Sequence, residues 1–173
     1  MKKKAGKSDA SEPWYRRVHQ ELEAHPPECW SVVNGINGAG VFLLPNDGAL
    51  HEQNCSEQDI PLVGSYRIIF EFFRLSRSGA IKVSARVAGT SGEPLFDRLN
   101  SIAQDCLCPL PGRRVARQTQ SVAAWPVRHE RPVYAVEDHT GMANWLREFL
   151  AKPPHDFQRF LKEVESYLVS VRV

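Results

Sequence analysis

The middle of the chain alternates. In Tyr66–Ala88, YRIIFEFFRLSRSGAIKVSARVA, the residues Ile81, Val83, Ala85 and Val87 alternate with Lys82, Ser84 and Arg86. A period of two predicts a half-buried strand. Tyr66–Leu75 before it is aromatic and β-branched, and Ser76-Arg77-Ser78-Gly79 between them supplies the glycine of a tight turn. The pair reads as a long hairpin. Shorter strands are predicted over Cys29–Asn34 and Val41–Leu44, the second closed by the turn signal Pro45-Asn46-Asp47-Gly48. Two more, over Arg113–Thr119 and Ser121–Arg128, are expected to pair, with Pro126 moving the latter toward a sheet edge.

Helical spacing frames these strands. Trp14, Tyr15, Val18 and Leu22 share a face of a helix from Pro13 to Ala24, which Pro26-Pro27 ends. Leu95, Leu99, Ile102, Ala103 and Cys106 form the stripe of a second helix entered at Pro94. Met142, Trp145, Leu146, Phe149 and Leu150 mark a third, with caps available in Glu137-Asp138-His139-Thr140. Beyond Pro153-Pro154, a fourth carries Phe157, Phe160, Leu161, Val164 and Leu168. Residues 1–12 are lysine-rich and aperiodic and read as a disordered tail, while residues 49–63 read as a polar surface loop.

The expected fold is α+β: an antiparallel sheet of four strands and then two, with an N-terminal, a central and two C-terminal helices packed on it, all in one domain over 13–173. Ile68, Phe70, Phe72, Ile81, Val83 and Val87 are the expected sheet core. Leu99, Ile102, Trp145, Phe149, Phe160 and Leu161 are expected against it. No apolar run is long enough for a membrane span and no apolar signal core follows the basic N-terminus, so the expected setting is the cytoplasm, with reduced cysteines.

In the order of IKVSARV, LFDRLNSIAQ, RRVARQ with AAWPV, and NWLREFL, the chain resembles the small accessory domain found beside PD-(D/E)XK nucleases in bacterial defence proteins. The same order of elements also resembles the type III secretion chaperones, from whose usual acidity the basic middle of this chain departs. Either resemblance implies a binding or accessory module of a bacterial or mobile-element system. No functional residue carries over from it.

Charge is unevenly spread. Residues 62–132 hold 11 Lys and Arg against 5 Asp and Glu, whereas residues 1–61 hold 6 against 9 and residues 133–173 hold 5 against 6. Such a basic centre suits an acidic partner, nucleic acid included, or a solvated sheet face. The candidate contact residues are Arg74, Arg77, Lys82, Arg86, Arg113, Arg114 and Arg117. Phe157 and Phe160 are the candidate anchors of a protein interface, and a homodimer and a monomer are equally compatible with the pattern.

Catalytic signatures are missing. A PD-(D/E)XK site needs an acid two residues before its lysine, and Ala80 holds that position ahead of Lys82. Glu71 is expected to pair with Lys82 or Arg86 across the hairpin. The run NGINGAG lacks the Lys-Ser/Thr of a phosphate loop and reads as a hairpin turn. Of Cys29, Cys55, Cys106 and Cys108, only the last two are closely spaced, and Cys106 belongs to a helix stripe. A zinc site through Cys55, Cys108 and His51 is the alternative. The expectation is a module with no catalytic residue, metal or cofactor that acts through protein contacts. Nucleic-acid binding on a basic sheet face is the second reading, and an atypical metal-dependent enzyme is the third.

Overall fold

The structure is a computed structural model that describes residues 13–33, 40–50, 68–89, 92–107, 117–118, 122–127 and 131–171. The tail, the NGINGAG loop up to its last glycine, most of the 49–63 loop, Arg113, Arg114, Cys55, Cys108 and His51 lie outside the described residues. The elements are α1 (Trp14–Ala24), β1 (Trp30–Val33), β2 (Val41–Pro45), β3 (Ile68–Arg74), β4 (Ile81–Ala88), α2 (Pro94–Leu107), β5 (Arg117–Gln118), β6 (Val122–Pro126), α3 (His139–Ala151) and α4 (His155–Ser170). The chain has an α+β fold with one antiparallel sheet, and no described helix is long and apolar enough to cross a membrane.

The β3–β4 hairpin is the middle of the sheet. Its register runs from Ile68 opposite Val87 to Arg74 opposite Ile81. Gly79 closes the turn at φ +70 and donates its N–H to Leu75 O at 2.8 Å. A Cβ there would lie 2.8 Å from Tyr134 O, so both conformation and space select glycine. The strand order β1-β2-β3-β4-β6-β5 puts the two strand pairs in a single six-stranded sheet.

β6 is not an edge strand, contrary to what Pro126 predicts: it lies between β4 and β5. Val127 N–H points to β4, bonding Val83 O at 2.9 Å. Successive N–H groups point to opposite sides of a strand, so the missing donor of Pro126 falls on the β5 side. There the described pairing stops at Ala124.

Helices α1–α4 bury their stripes in one cluster with Val41, Leu43, Ile68, Phe70, Phe72, Ile81, Val83, Ala85 and Val87. α1 packs on α3, and α2 packs on α4 and across β4 and β6. Every expected core residue is buried except Trp145 and Leu161, which pack on the margin of the cluster. In α2 the stripe turns further than its spacing suggests. Phe96 is buried where Leu95 is half-buried, because Gly89 leaves room for the Phe96 ring, with a Cβ site only 2.7 Å from Phe96 Cβ. Asp138 caps α3 by accepting the Gly141 N–H at 2.9 Å. Arg147 of α3 closes the other end of α1, donating to Glu21 O at 2.6 Å and His25 O at 2.8 Å.

Ala49 and Leu50 depart from the surface-loop expectation. Both are buried, and the Glu165 carboxylate of α4 accepts their N–H groups at 2.5 and 3.1 Å.

Phe157 and Phe160 are core residues and not interface anchors. Both are fully buried, with ring centroids 5.0 and 6.2 Å from that of Phe70. α4 faces the sheet with the very stripe that would dock on a partner. Phe160→Ala should therefore lower stability by about 3–5 kcal/mol in a denaturant titration and leave the native mass by light scattering unchanged. A change in mass with little loss of stability would put Phe160 at an interface.

Candidate binding face of the sheet

Alternation sends the even-numbered residues of β3 and the odd-numbered residues of β4 toward the helices. The other set faces the opposite side. Across that second face the register aligns Phe42, Glu71 and Ser84, then Ile69, Arg86, Ala124 and Arg117, and pairs Phe73 with Lys82. Lys82 and Arg86 thus share a face, and Arg117 falls in the same cross-strand row as Arg86.

The inner part of this face is buried. Phe42, Leu44 and Ile69 are buried, and Glu71 and Ser84 are 8 and 5% exposed. A carboxylate this far from water needs a counter-charge. Arg86, diagonal to it in the register, brings Nε to 2.8 Å from Glu71 Oε2. The contact is one of charge, since Nε lacks the alignment of a hydrogen bond. The Arg86 guanidinium carbon also lies 5.8 Å from the centre of the Phe42 ring.

The accessible part lies toward the hairpin end. Lys82 is half-buried, with Nζ 5.7 Å from the centre of the half-buried Phe73 ring. Arg77 is exposed in the turn. The segment 131–134 runs along the start of β4: Val133 bridges Ala80, Ile81 donates to Pro132 O at 2.9 Å, and Tyr134 donates to Gly79 O at 3.0 Å. This sets exposed Arg131 alongside Lys82, and it leaves Val133 68% exposed. Arg74 is on the helix side of β3, where its Nε donates to Tyr134 O at 2.8 Å and ties the segment down. Burial first, and then the Asp138 and Glu148 carboxylates, push the Tyr134 phenol above its ordinary value.

Of the predicted cations, Lys82 and Arg86 share the face, Arg77 lies at its end, and Arg74 holds the backbone of the neighbouring segment. Arg113 and Arg114 lie outside the described residues, as does the Arg117 side chain. Arg131 escaped the pattern because no alternation surrounds it. Its place comes from a bridge between residues far apart in the chain. Phe73 escaped as a site residue for a different reason: within IIFEFFR it looks like one more core aromatic.

Two other features were candidates for chemistry. A groove of about 550 Å³ beside α4 is lined by Trp30, Leu50, Leu161, Asp47, Lys162 and Glu165. Its Glu165 carboxylate is already held by the Ala49 and Leu50 amides. Cys29 and Cys106 are free thiols, the first exposed and the second buried, and burial pushes the Cys106 thiol up. Among the described residues, no three His, Cys, Asp or Glu side chains are grouped as metal ligands would be. No family model, curated protein or solved structure matches the chain.

The buried ion pair and the thiols each yield a test. Glu71→Ala leaves a partly buried guanidinium without its carboxylate and should cost about 2 kcal/mol. The double change Glu71→Leu with Arg86→Met should recover most of that loss; additive losses would mean the two charges are not coupled. With Cys55 and Cys108 replaced by serine, a thiol reagent should label Cys29 in the native protein and Cys106 only on unfolding. Equal labelling rates would contradict the burial of Cys106.

Proposed function

We propose that this chain is a non-catalytic binding module that holds an acidic, polyanionic partner against the second face of its sheet, at the end of the β3–β4 hairpin. One observation carries this reading: the backbone bridge of the 131–134 segment to the hairpin brings Arg131 to the same end of the sheet as Arg77 of the turn and Lys82 of β4. The carboxylate on that face, Glu71, is already paired with Arg86. Among the described residues of β3 and β4, the charged side chains this face offers to solvent are therefore cationic, and clustered cations raise the local concentration of an anion and speed its arrival. A nucleic-acid backbone fits this chemistry.

A protein partner is the second reading, favoured by β1. This four-residue strand lies at the sheet edge, where an extended peptide could add as a further strand.

Each phosphate neutralised on a duplex releases counterions and steepens the salt dependence by about 0.9. Three cations should therefore give a slope of log affinity on log salt of about −3 on duplex DNA, with any further contacts making it steeper. Reversing the charge of Lys82 and Arg131 should reduce the slope by about 2 and weaken all sequences alike. If the wild-type chain binds neither nucleic acid nor heparin at low salt, the proposal fails.

A further inference from the structure

We infer that the hairpin-end face takes single-stranded nucleic acid in preference to duplex, with Phe73 as the residue on which a base stacks. This rests on the polyanion reading above and goes beyond it by naming the class of ligand.

The argument begins with the shape of the face. β3 and β4 are not a free two-stranded ribbon: β2 pairs with β3 on one side, and β6 and the 131–134 segment flank β4 on the other. The described β2 pairing reaches only Phe72, so at the hairpin end β3, β4 and the 131–134 segment lie side by side; with neighbouring strands about 4.8 Å apart, their outer backbones span about 10 Å, and side chains on both flanks widen this further. A major groove about 12 Å wide does not admit them. Every buried helical stripe is directed into the cluster on the other side of the sheet, so no described helix is placed to enter a groove from this face. A duplex can therefore meet the face only through its phosphates.

A single strand can do more, because its bases are free to leave the stack and lie on an exposed ring. Among the described residues, Phe73 is the aromatic of this face that is partly open: Phe42 is 6% exposed, whereas Phe73 is half-buried. Its ring already attracts a cation, with Lys82 Nζ 5.7 Å from its centre. Arg77 stands in the turn beyond Phe73, and Arg131 beside Lys82. A partly open π-surface with one cation over it, and further cations in the adjoining turn and segment, matches a strand that alternates π-faced bases with phosphates. In the complex, the Lys82 ammonium moves from the ring to a phosphate and the base takes its place on the ring. Selectivity is for strandedness and not for sequence, since every base has a π-face.

The test uses the full chain and fluorescence anisotropy with a labelled thymidine oligonucleotide, the same strand in a duplex, and heparin as a polyanion without bases. The single strand should bind about tenfold or more tighter than the duplex. Phe73→Leu should lose about five- to a hundredfold on the single strand and leave duplex and heparin binding unchanged. Phe73→Trp should retain the preference, with thermal melts confirming that both variants fold. Equal affinity for single strand and duplex, untouched by Phe73→Leu, would overturn the inference and leave the polyanion reading standing. Binding to heparin but to neither nucleic acid would also overturn it, and would point to an acidic protein. Binding to none of the three would remove both.

Discussion

The fold depends on two aromatic residues of one strand. Phe70 and Phe72 of β3 point to the same side, and between them they touch three helices. Phe70 meets Trp30 of β1 and Phe157 and Phe160 of α4. Phe72 meets Trp14 of α1 and Trp145 of α3. Trp145 stacks on Phe149, and Phe149 on Phe157, so the chain of rings closes from one helix to the next. Aromatic pairs contribute about 0.5–1.5 kcal/mol each beyond the area they bury. Their larger role here is geometric. Rings in edge-to-face contact leave little freedom in how the helices sit on the sheet, so the first and last elements of the chain are set by its middle.

The second face of the same strand obeys the opposite requirement. A period of two that delivers Phe70 and Phe72 to the helices must deliver Ile69, Glu71 and Phe73 to the other side. Ile69 and Glu71 are buried there, and Glu71 then demands Arg86 as its partner. That demand sorts the basic centre by role. Arg86 answers a buried carboxylate and Arg74 answers a backbone carbonyl. Arg77 and Arg131 are left at the surface, and Lys82 lies half-buried over the Phe73 ring. A count of arginines in the sequence treats all of these as equal, and the structure does not.

Local pattern carries far where one residue's surroundings are decided by its neighbours a few positions away. Helix starts and stops were legible because proline acts on its own backbone and on the residue before it, as at Pro13 and Pro153-Pro154. The strand alternation of Ile81–Val87 was legible for a similar reason: a two-residue period can expose one face and bury the other only as a strand. The errors fall where a distant residue decides. Glu165 gathers in the Ala49 and Leu50 amides from 116 and 115 residues away, so a polar-looking stretch is buried at its start. Pro126 reads as an edge signal, and β6 can still lie inside the sheet because its missing N–H points away from β4.

The sequence by itself determined the main element types, their order, the strand alternation of the hairpin and the stripes that became the core, because backbone torsion and hydrophobic spacing act within a few residues. It also determined that the middle of the chain is basic. Only the tertiary structure decided that both strand pairs join one sheet, that Phe157 and Phe160 face inward, and which cations remain at the surface. Those outcomes depend on contacts between segments separated by tens of residues: Ala80 with Val133, Phe70 with Phe160. No local pattern encodes such a contact, because its free energy exists only after both segments have been brought together.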